Sequence, residues 1–74
     1  MSQFPSRVQV ETLRKQYPKG TRVKLVKMND PYTELKAGDK GTVDFIDDAG
    51  GIHIRWDNGS GLAAIWGEDI IRKI

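Results

Sequence analysis

Few groups in this 74-residue chain are equipped for chemistry. His53 is the single histidine and cysteine is absent, so a nucleophile and base with an orienting third group, a two-histidine metal site and a thiolate zinc site are all out of reach. Asp47 and Asp48 run into Gly50-Gly51, which suits a turn, and no further oxygen ligands follow at calcium-loop spacing. Lys19-Gly20-Thr21 lacks the upstream glycines of a phosphate loop. The expectation is a non-enzyme with no cofactor and no metal.

Binding groups, by contrast, are plentiful. Residues 1–28 carry seven bases against the single acid Glu11, a charge of +6, while residues 29–74 carry five bases against nine acids, a charge of −4. That asymmetry points to an anionic partner. Arg14, Lys15, Lys19, Arg22, Lys24 and Lys27 are the candidate nucleic-acid contacts, since a helix packed beside the first strand would gather them into one patch. Such a patch attracts phosphates without reading bases, and its binding is salt-sensitive. Tyr32 and Trp66 are the candidate partner-binding aromatics, either stacking on unpaired bases or lining a protein-binding groove with the 29–39 loop. Burial of Trp66 at one end of the core is the competing reading. His53 is expected on the solvent side of its strand as a cross-strand pairing residue, and Trp56, in phase with Ile52 and Ile54, in the core.

The elements that position these groups follow from periodicity. Ser6 and Gln9 form a capping-box pattern, so a helix is expected over residues 7–16, with Val10, Leu13 and Tyr17 on one side and Phe4 packing back on Val10. Pro18 and Gly20 end it. From Thr21 the period becomes two, and strands are expected over about 21–28, 40–46, 52–57, 60–65 and 70–74. In the second of these Val43 and Phe45 point inward, Thr42 and Asp44 outward. Residues 29–39 read as one long loop, 47–51 and Asp57-Asn58-Gly59 as hairpin turns, and 66–69 as a tight turn.

Five short strands, a long first loop, two tight hairpins and a turn before a short last strand give the expected fold class. It is mainly β, a five-stranded SH3-like barrel with one N-terminal α-helix, in a single domain over 1–74. An OB-type barrel wants a helix between strands three and four, where this chain has none. With 38% apolar and 30% charged residues, no apolar run near the ~18 residues of a membrane span and no leader pattern, a cytoplasmic location away from membranes is expected.

Phe4-Pro5-Ser6-Arg7, the stretch from Leu13-Arg14-Lys15 through Tyr17-Pro18-Lys19-Gly20-Thr21-Arg22-Val23, Asn29-Asp30-Pro31-Tyr32, Lys40-Gly41-Thr42-Val43 and Trp56-Asp57-Asn58-Gly59-Ser60 resemble a small bacterial and phage family of unassigned function. Its members are similar to SH3-like barrels, and the resemblance runs over nearly the whole chain. It implies the fold and brings no site residues with it. A second likeness, in strand-glycine-strand grammar around Gly38, Gly41 and Gly50, is to KOW-type barrels of translation and transcription. The resulting expectation is low-specificity nucleic-acid binding through a basic face of helix and first strand. The alternative is a protein-interaction module of a phage or mobile-element system.

Overall fold

Helix α1 (Arg7–Gln16) starts where Ser6 and Gln9 dictate. In the computed structural model, which describes residues 5–28 and 33–74, Ser6 Oγ accepts from the Gln9 N–H at 3.2 Å and Gln9 Oε1 accepts from the Ser6 N–H at 2.8 Å. This reciprocal cap satisfies two of the donors that a helix start leaves without intrahelical partners. Arg14 and Lys15 in the last turn suit the negative end of the helix dipole. The expected contact of Phe4 and the whole of Asn29-Asp30-Pro31-Tyr32 lie outside the described residues.

Five strands follow: β1 (Arg22–Lys27), β2 (Lys40–Ile46), β3 (Gly51–Trp56), β4 (Ala64–Ile65) and β5 (Ile70–Lys73). They form one antiparallel sheet in the order β4-β3-β2-β1-β5. Val23, Leu25, Val43, Ile46, Ile52, Ile54, Trp56 and Ala64 make its inner face, and Val10 and Leu13 of α1 pack into the same cluster. Leu35, from the loop between β1 and β2, is buried with them, a core residue that the weak periodicity of its loop hides. The shortest dimension, 16 Å, is that of a helix laid on one sheet.

The expected SH3-like barrel is not what this chain forms. β4 and β5 end the ladder and do not pair with each other, so the sheet stays open. The cause lies in residues 60–63, expected as strand: Ser60 and Gly61 are poor strand formers, β4 shrinks to two residues, and too little ladder remains to reach β5. Trp66 and Tyr17, half-buried against the cluster, help to cover the core instead.

Two bulges change which side chains face water. Val43 lies opposite Ile54 and Phe45 opposite His53, so β2 spends two residues where β3 spends one. The extra residue, Asp44, reverses the alternation. Phe45, expected inward, is therefore 52% exposed, and Ile46 takes the inward place. A second shift between Leu25 and Lys27 sets Lys27 opposite Ile70.

Candidate nucleic-acid interface

Because α1 occupies the inner side of the sheet, the outer face is where β1, β2, β3 and β5 present their other residues. Directly paired residues of an antiparallel sheet project from the same face. Lys24 lies opposite Lys40 on one side and Arg72 on the other, a line of three cations across three strands. Two residues along, about 7 Å away, Thr42 lies between Arg22 and Arg55. Lys27, opposite Ile70, extends the same face.

Among the described residues, one acid answers these six cations. Asp57 receives a two-pronged contact from Arg22, Nη1 to Oδ1 at 2.8 Å and Nη2 to Oδ2 at 2.7 Å, and Arg22 Nη1 also donates to Thr42 Oγ1 at 3.0 Å. Arg22, followed by nearby Lys40, holds the Asp57 carboxyl below its ordinary value. No acid among the described residues forms an ion pair with Lys24, Lys27, Lys40, Arg55 or Arg72.

The six basic candidates from the sequence thus divide. Arg22, Lys24 and Lys27 share the outer face. Arg14 sits on α1, on the other side of the sheet, where its guanidinium donates to the Ile46 carbonyl at 3.2 and 3.0 Å and to Asp48 Oδ1 at 2.9 Å. Lys15 is exposed on the same helix, and Lys19 lies 3.6 Å from Asp44. Lys40, Arg55 and Arg72 complete the cluster and escape a reading by sequence segment, because only strand register brings them beside β1. Tyr32 lies outside the described residues. Trp66 is half-buried in a groove of about 380 Å³ shared with Leu13, Tyr17, Ile52 and Ile71.

The profile of a domain of unknown function, DUF4314, matches residues 6–74. The chain belongs to that family. Membership in a family of unassigned function agrees with the resemblance noted in the sequence, whereas barrel closure does not extend to this DUF4314 domain. No curated protein and no solved structure matches it. Among its described residues, no three His, Cys, Asp or Glu side chains gather as a metal site, and no helix is long and apolar enough to cross a membrane.

At one end of the outer face of this DUF4314 domain, Asp47 organises the β2–β3 turn. Its Oδ1 accepts from the Ala49 and Gly51 N–H groups at 3.0 and 2.8 Å, and its Oδ2 lies 2.8 Å from His53 Nε2. Gly50 supplies the positive φ of 85° that closes the turn, and a side chain there would collide with Pro5. The bond to His53 is the main cause that lowers the Asp47 pKa, with the two backbone donors adding to it and partial burial opposing. A carboxyl whose pKa is lowered on folding stabilises the native state above its unfolded value of about 4, and that contribution is lost as pH falls through the native value. Asp47→Ala is therefore expected to cost about 1–2 kcal/mol at neutral pH. In thermal melts its deficit against the unaltered chain should narrow below about pH 4; a deficit independent of pH would contradict this role.

Proposed function

We propose that this DUF4314 domain is a non-catalytic nucleic-acid-binding module of low sequence specificity, and that its contact surface is the outer face of the sheet. The observation that carries the reading is the Lys40, Lys24 and Arg72 line, in which no cation forms an ion pair with an acid among the described residues, although Asp57, itself paired with Arg22, lies near Lys40. Like charges directly opposite one another destabilise a sheet. A phosphate backbone compensates them, and side chains on three neighbouring strands suit successive phosphates better than one small anion. Contacts of this kind position a nucleic acid without reading its sequence.

The test is an amide chemical-shift titration of the labelled domain with short single-stranded DNA, duplex DNA and RNA, at low and at physiological salt. Shifts are expected at Arg22, Lys24, Lys40, Arg55 and Arg72, shrinking as salt rises. No shift at low salt overturns the proposal. A second reading, docking of a protein segment as in a phage or mobile-element assembly, is favoured by the groove beside Trp66. On that reading the nucleic acids leave the amides unmoved, and Trp66→Ala loses a partner while the fold survives.

A further inference from the structure

We infer that Phe45, backed by His53, is a stacking platform for an unpaired base, so that the outer face prefers single-stranded nucleic acid to duplex; this inference rests on the function proposed above. The two rings stack with centroids 4.2 Å apart and planes within 8° of parallel. They stand directly opposite each other on β2 and β3. His53 faces outward by the plain alternation of β3 between buried Ile52 and Ile54, but Phe45 does not, because without the extra residue Asp44 its side chain would enter the core. His53 covers one side of the Phe45 ring, and the residue remains 52% exposed.

The platform is also held in place. His53 is fixed from its edge by Asp47 Oδ2 at 2.8 Å, and Asp47 is in turn pinned by the Ala49 and Gly51 N–H groups. A base arriving on Phe45 meets a surface that is already ordered, so little freedom is lost on contact. Arg55 follows His53 by two residues on the same face of β3, and beyond it come Thr42 and Arg22. An aromatic plane thus adjoins a row of phosphate-binding groups. That combination suits a single strand, whose bases are free to turn onto a ring while its backbone tracks the cations. In a duplex the bases are stacked within the helix, and only the cations remain to be used.

Fluorescence anisotropy tests this with a labelled oligothymidylate of about twelve nucleotides and a duplex of the same length. The unaltered domain should bind the single strand more tightly. Phe45→Ala should weaken single-strand binding about fivefold or more and leave duplex binding unchanged, and Phe45→Trp should restore the preference. If Phe45→Ala fails to fold, Phe45→Leu keeps the apolar bulk, lacks the π face and carries the same expectation. Equal effects on both ligands, or on neither, while Lys24→Glu still weakens both, overturn the platform and leave the basic face standing. Absence of binding to either ligand at low salt overturns the underlying reading.

Discussion

Trp56→Ala is expected to remove about 3–5 kcal/mol of stability, from a total of roughly 4–11 kcal/mol for a domain of this length. Trp56 is 3% exposed and sits opposite Gly41, where any side chain would collide with Ile54 and with the backbone of Arg55 and Trp56. The missing side chain at Gly41 is what lets the two strands close around the indole. Trp56 Nε1 donates to the Leu62 carbonyl at 2.8 Å, tying down the segment between β3 and β4 that has no ladder of its own. Truncation to alanine therefore empties part of the inner face and strips that carbonyl of its donor. The melting temperature, followed by circular dichroism, should fall by more than about 12 °C. Trp66→Ala, at a half-buried position, should cost only about 1–2 kcal/mol. A Trp56→Ala melt within about 5 °C of the unaltered chain would show that the core does not depend on this residue.

The contrast between the two tryptophans marks how far the sequence could be read. Trp56 is in phase with Ile52 and Ile54, and period alone puts it inside. The capping box and Pro18 bound α1 in the same way, because each acts through neighbouring residues. What escaped is set by contacts distant in sequence. The bulge at Asp44 depends on how β2 pairs with β3, and it turns Phe45 outward with no mark in the residue pattern. Barrel closure fails because the strand after Gly59 is too short, a matter of ladder length rather than of turn placement. The candidate interface suffers likewise. Charge counting found Arg22, Lys24 and Lys27 in the basic first segment, yet joined them to Arg14 and Lys15, which the sheet places on its other side. Lys40, Arg55 and Arg72 come from a segment of net negative charge and become neighbours of β1 only through register.

Lys24→Glu is expected to weaken oligonucleotide binding about tenfold or more at physiological salt while leaving the domain as stable as before, or slightly more so. The affinity effect follows from exchanging the central cation of the Lys40, Lys24 and Arg72 line for an anion. If about five phosphates are contacted, log affinity should fall against log salt with a slope near −3.5 for a single strand, and the variant should flatten it by about one phosphate's worth. The stability effect has the opposite sign to that of a structural residue. The introduced carboxylate would face a lysine and an arginine across the ladder, turning two repulsive pairs into attractive ones worth about 0.2–1 kcal/mol each. Lys15→Glu, on α1, is the control that separates the outer face from the helix, and its affinity should stay within about twofold of the parent. Anisotropy titrations over a salt series, paired with thermal melts, measure both quantities. Lost affinity with lost stability would make Lys24 a structural residue, and equal losses for Lys24→Glu and Lys15→Glu would return the contact surface to the helix side. Lost affinity with retained stability is the signature of a charge kept for its ligand at the fold's expense.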